Sequence, residues 1–208
     1  LAALIFRVRG LGDVEPNLSP VEVGNLATME SLALGRGPGL FDVTLTGASG
    51  LALVVPTLLT PLVGEPDVAL RLFVALASVG ALGLFYLVCR DVSSVLAALG
   101  ATALLASSAW FLNASRNGEL HGVVMLLALA SLRGIRRGLR GGGPRTWALG
   151  GAAAGFAWYW HPSAVYLVPG LVVALGAWAL RCRQTRRPVL FGAAIFLIFL
   201  AVVALPRV

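Results

Sequence analysis

From Ala69 to its end the chain is apolar almost without interruption, and that continuity constrains the fold more than any motif in it. Ala69–Cys89 and Val92–Leu112 hold a single charge between them, Arg71, close to one end of its run. A helix needs about 20 apolar residues to cross a hydrocarbon core of about 30 Å, and both runs meet that length. Apolar residues make up 58% of the 208 and charged residues 12%, half of the roughly 25% that a soluble domain carries. A water-soluble globule and a disordered chain are both excluded. The pattern predicts an all-α polytopic membrane bundle of about seven membrane helices, with spans near 69–89, 92–112, 118–132, 146–160, 162–180 and 188–205. The opening run, residues 1–6, reads as the tail of a first transmembrane helix.

Residues 7–68 differ in character. Seven of the nine acids and six of the eleven prolines fall between Arg7 and Asp67. Ser19-Pro20 with Glu22 in the next turn is a helix start signal, and it predicts a short helix over Val21–Leu34. Leu51–Val63 is apolar but only thirteen residues long and carries Pro56 and Pro61, so it is expected to lie at the interface without crossing. All sixteen basic residues are Arg, a composition typical of a GC-rich genome. Ten of them fall on one side of the expected spans, in Arg90, Arg133–Arg145 and Arg181–Arg187, against six on the other, which also receives eight of the nine acids. The positive-inside rule makes the Arg-rich side cytoplasmic and the loop 7–68 external, in a bacterial cytoplasmic (inner) membrane. The net charge of +7 then meets anionic lipid headgroups, not nucleic acid. Cys89 and Cys182, both on the cytoplasmic side of this scheme, are expected as free thiols.

Acids and histidines are absent from the middle of the spans, which excludes ion-coupled transport by this part of the chain. The remaining polar residues gather at the outer face: Glu22, Asn25, Glu30, Ser115, Arg116, Asn117, Glu119, His121, Tyr159 and His161. Such an interface can take a lipid-linked substrate from the bilayer and a second substrate from outside. Each residue also has a plain reading. Glu22 suits a helix N-terminus, Arg116 and Glu119 are spaced for a surface ion pair, and His161 before Pro162 closes a hairpin. The two histidines are not spaced as a pair of ligands to a chlorophyll magnesium or a haem iron, so no cofactor and no metal are called for. Gly118/Gly122 and Gly151/Gly155 read as close-packing small residues. Trp158-Tyr159-Trp160 reads as an interfacial aromatic belt.

The order of these features resembles the family C (GT-C) membrane glycosyltransferases of the protein-O-mannosyltransferase and aminoarabinose-transferase type. The likeness starts at Val14–Glu22, similar to a first outer loop with a Pro-rich turn and an Asp-Glu pair. It continues through Leu62-Val63-Gly64-Glu65-Pro66 and Ala69-Leu70-Arg71-Leu72, then Leu112–Arg116, and ends in Ala157–Pro169, similar to an aromatic-rich hairpin closing on Val-Pro. The resemblance covers most of the chain, as the N-terminal portion of a longer enzyme. It implies sugar transfer from a polyprenyl-phosphate donor at the outer face, with an outer-loop carboxylate as general base and basic residues on the phosphate. Carried onto this sequence, Glu22 is the catalytic candidate, and Arg116, Glu119 and His161 are the substrate-binding candidates. Val21 stands where the family has the Asp of its pair. Gly47-Ala48-Ser49-Gly50 stands where the family often has Arg-Glu before the interfacial helix.

Two functions follow. One is a polyprenyl-phosphate-sugar transferase. The other is a catalytically degenerate relative that serves as an accessory subunit of a larger membrane complex, photosynthetic or respiratory for example. Membrane lipids are partners in both.

Overall fold

A computed structural model describes residues 2–12, 18–161 and 186–204, together with positions 164, 166 and 170. Among them the architecture is helical: α1 (Ala2–Val8), α2 (Pro20–Ala33), α3 (Gly50–Val63), α4 (Pro66–Arg90), α5 (Val95–Ser107), α6 (Ala109–Ala114), α7 (His121–Leu139), α8 (Pro144–Ala157) and α9 (Arg186–Ala204). No strand occurs among the described residues, and the extended backbone makes one isolated antiparallel bridge, Val43 to Ser49. Expectations for Val14–Asn17, the 162–180 span, Cys182 and most of the Arg181–Arg187 loop lie outside the described residues. Cys89 is a free thiol.

Local chemistry sets the helix ends. Ser19 accepts the Glu22 backbone N–H at 3.1 Å and Pro20 occupies the first turn of α2, where its missing donor is not needed. Pro66 opens α4, with Asp67 in the first turn and Arg90 in the last, both favourable to the helix dipole. The run 92–112 is divided: Ser108 ends α5 and its hydroxyl accepts the Phe111 N–H to start α6. Helix α7 runs beyond residue 132 to Leu139, carrying Arg133, Arg136 and Arg137 along it.

Helix α4 is the centre of the packing. It is the one described helix long and apolar enough to cross a membrane, and its 25 residues rise about 37 Å. Buried Leu70 and Val74 pack with Met29 of α2, Leu53 of α3, and Leu120 and Val123 at the start of α7. Ile135, Trp147, Ala154 and Phe196 join α7, α8 and α9. The glycines bring these helices close. A Cβ at Gly122 would strike Ser78 of α4, and one at Gly155 would lie 2.8 Å from Val203 Cβ and 2.9 Å from the Leu200 carbonyl of α9. Gly151 and Gly155, both on α8, serve helix contact as their spacing predicts, whereas of the other pair only Gly122 lies on α7 and Gly118 precedes it.

The outward faces are apolar too. On α5 only Ala98 is buried, while Leu96 and Leu104 are 81% and 74% exposed. A helix apolar on both faces belongs in lipid. The protein is an integral membrane protein.

The loop between α2 and α3 is pinned from an unexpected direction. Ser49 donates to the Tyr159 carbonyl through its backbone N–H at 2.8 Å and its hydroxyl at 3.1 Å. Tyr159 is 1% exposed, its hydroxyl donates to the Val203 carbonyl, and its ring meets Phe41 at 5.6 Å. The centre of the aromatic triplet is thus a joint between the loop, α8 and α9, not an interfacial belt residue. Trp160 stacks on Phe73 of α4 at 5.5 Å. The Gly47–Gly50 stretch is packed into the same joint, with Ala48, Ser49 and Gly50 buried.

Candidate functional site

At the end of the bundle where α4 and α7 begin, a cleft of about 480 Å³ opens between α2, α4 and the α6–α7 connection. It is lined by Ser19, Glu22, Arg71, Asn113, Arg116, Asn117 and Glu119. Every lining residue is polar, and four are charged.

Glu22 enters from the first turn of α2. Buried residues Glu22, Asn25 and Met29 recur along one face of that helix, so the spacing that seats Met29 in the core also turns the carboxylate inward. Arg71, one turn into α4, donates its Nε to Glu22 Oε1 at 2.7 Å, and each side chain is 3% exposed. Arg71 also donates to the Leu11 carbonyl at 3.2 Å, tying the chain after α1 to α4. Beneath the pair, Asn25 donates to the Gly118 carbonyl at 2.8 Å and accepts from the Thr46 hydroxyl at 2.8 Å. A buried amide with both ends satisfied holds its neighbours in register. Gly118 is required here, because a Cβ would come within 3.0 Å of Glu22 Cγ and 2.6 Å of Leu70 Cδ2.

Arg116 comes from the turn after α6. Its guanidinium donates to the Phe6, Arg9 and Gly10 carbonyls at 3.2–3.3 Å, closing the C-terminal end of α1, where carbonyls lack helical partners. Those three bonds leave further guanidinium donors for the cleft. The ion pair with Glu119 that the spacing permits does not form. Glu119 lies 3.6 Å from His121 Nδ1 instead. Between them Leu120 is buried in a left-handed conformation, φ 62°, which costs a branched residue of order 1–3 kcal/mol. That turn places Leu120 in the core while its neighbours stay polar.

His161 is not on the cleft. Its ring packs against His121, centroids 4.5 Å apart and planes tilted by 46°. Burial, and next the charge of His121, push the His161 pKa down, and Glu119 opposes them. The structure thus brings together two histidines whose spacing in sequence gives no such sign. Among the described residues no group of three His, Cys, Asp or Glu is placed to hold a metal ion.

Three of the four site candidates therefore share one cleft: Glu22, Arg116 and Glu119. His161 is linked to it through His121 and Glu119. Arg71, Ser19 and Asn113 are additions that sequence reasoning passed over, while Asn117 was among the polar residues it gathered at that face. Arg71 carries a legible signal, being the one charge inside a long apolar run, since such charges are costly and paired. Ser19 reads in sequence only as a helix start, and Asn113 carries no signal of its own.

A polytopic helical membrane protein with a charged cleft at one end of its bundle is the class that fold and site define. Residues 51–205 match the family described as dolichyl-phosphate-mannose-protein mannosyltransferase. The chain belongs to that family, which is of the GT-C glycosyltransferase type. No curated protein and no solved structure matches it.

Proposed function

We propose that the cleft transfers a sugar from a polyprenyl-phosphate donor to an acceptor hydroxyl at the outer face of a bacterial cytoplasmic membrane. The observation that carries this reading is the convergence of Glu22, Arg71, Arg116 and Glu119 on one cleft in a member of a lipid-phosphate-sugar transferase family. The acceptor oxygen attacks the anomeric carbon, the bond from that carbon to the phosphate oxygen breaks, and the polyprenyl phosphate leaves with the electron pair. The acceptor proton passes to the Glu22 carboxylate, which the adjacent Arg71 orients. Spare donors of Arg116 meet the phosphate, and Glu119, Asn113 and Asn117 offer hydrogen bonds to sugar hydroxyls. His161 acts on substrate by way of His121 and Glu119.

One observation favours the second reading, a degenerate transferase that works as an accessory subunit. Glu22 is closed off by Arg71, and Arg116 is bonded to α1, so both have structural employment without a substrate. Purified protein offered several polyprenyl-phosphate sugars decides between them. Donor turnover slowed about 10²–10⁴-fold by Glu22→Gln supports transfer through this base. Turnover that survives the substitution removes Glu22 from the role. No turnover by the unsubstituted protein, with stoichiometric copurification of a membrane complex, establishes the subunit.

A further inference from the structure

A second concavity lies toward the other end of α4 and α7, where α7 meets α8. It measures about 460 Å³, within the range of ligand sites. Leu84, Leu127, Leu149 and Phe156 give it apolar walls, and Arg133 and Arg137 are its charged residues. These arginines are four apart on α7 and so lie one above the other on the same face.

The neighbouring arginines show how unusual this is. Arg136 and Arg140 both donate to the Asp91 carbonyl at the end of α4, and Arg140 Nη1 lies 3.8 Å from Asp91 Oδ1. Both guanidinium groups thus cap α4 and Arg140 has a counter-charge, although Arg136 Nε, like Arg133 Nε, is buried without a partner. Arg133 and Arg137 make no hydrogen bond and no ion pair among the described residues, and Arg133 Nε is buried without a partner. A buried donor left unmatched is destabilising, and two guanidinium groups one turn apart repel. An anion between them removes both penalties, and a phosphate fits guanidinium forks in two-bond geometry.

We propose that this groove binds one anionic membrane phospholipid, its phosphate on Arg133 and Arg137 and its first acyl carbons along Leu84, Leu127 and Phe156. No acid lines the groove, so nothing there attracts the ammonium of a zwitterionic headgroup. The apolar walls favour an amphiphile over a free anion. The surrounding surface is already lipid-facing, with Leu149 70% exposed, so a lipid enters sideways from the bilayer. The site is independent of whether the cleft at the other end transfers sugar.

The test offers the full chain, purified in detergent, equal amounts of phosphatidylglycerol and phosphatidylcholine and counts retained lipid by native mass spectrometry. One phosphatidylglycerol is expected to be retained in preference. The double substitution Arg133→Gln, Arg137→Gln should weaken retention by about tenfold or more, while Arg140→Gln leaves it unchanged. Ala153→Phe, which keeps both charges and fills the apolar wall, should also expel the lipid, and it decides the matter if the double variant does not fold. Equal retention of the two lipids, or undiminished retention in either groove variant, overturns the proposal. Displacement of the lipid by millimolar inorganic phosphate overturns it as well, by showing a free-anion site.

Discussion

Replacing Arg71 by Met tests whether the cleft is built on a buried charge pair. The partners are 2.7 Å apart and each is 3% exposed, so solvent screens them little. Two unit charges about 4 Å apart at an effective dielectric near 20 attract by about 4 kcal/mol. Removing one partner of such a pair costs about 3–5 kcal/mol, because a buried charge is left uncompensated. Arg71→Met also releases the Leu11 carbonyl, which places the expected loss in the upper part of that range. Glu22→Gln keeps an acceptor facing the Arg71 Nε but leaves the buried guanidinium without a counter-charge, so it should cost about 3 kcal/mol, the lower end of the same range. With both substitutions present no unpaired carboxylate remains, so the double variant should be more stable than Arg71→Met alone. Denaturant unfolding in mixed micelles, followed by tryptophan fluorescence, measures all four proteins. A loss below about 1 kcal/mol for Arg71→Met, or strict additivity in the double variant, would refute a coupled buried pair.

Two further outcomes are expected from the same measurement. Gly151→Ala forces a Cβ against the Phe196 backbone of α9 and should destabilise by about 1–3 kcal/mol, whereas Gly83→Ala, open to space within α4, should stabilise by about 0.5–1 kcal/mol; equal effects would show that α8 and α9 do not pack through Gly151. His161, held below its ordinary 6.5 by burial and by His121, takes up its proton in the unfolded chain before the folded one as pH falls. Stability should therefore decline as pH is lowered through about 6.5 and level off below the folded value, and His161→Gln should flatten that slope. An unchanged pH profile in the variant would remove His161 as its source.

Much of the architecture was legible because the signals are local. Apolar run length marks α4, Ser19-Pro20 marks α2, and the proline-interrupted run 51–63 marks α3, each within a few residues of its observed bounds. The collection of polar residues toward one end was legible too, since a charge placed mid-span would be expensive in lipid. Two local features were passed over. Ser108 divides a run that hydropathy alone reads as continuous, because a hydroxyl cap competes with helix propagation regardless of its apolar neighbours. Arg71 was noticed as a charge but not as a partner.

What the sequence by itself determined, then, is that this chain is a helical membrane protein with its polar chemistry near helix ends, because burial in lipid acts on each segment separately. Tertiary structure decided which of those polar groups meet. Arg71 finds Glu22 across 49 residues, Ser49 finds Tyr159 across 110, and His161 lands on His121. Arg116 turns away from nearby Glu119 to the carbonyls ending α1. These pairings depend on where α2, α4 and α7 dock, and docking is set by glycine contacts and apolar packing that carry no record of the polar groups they bring together.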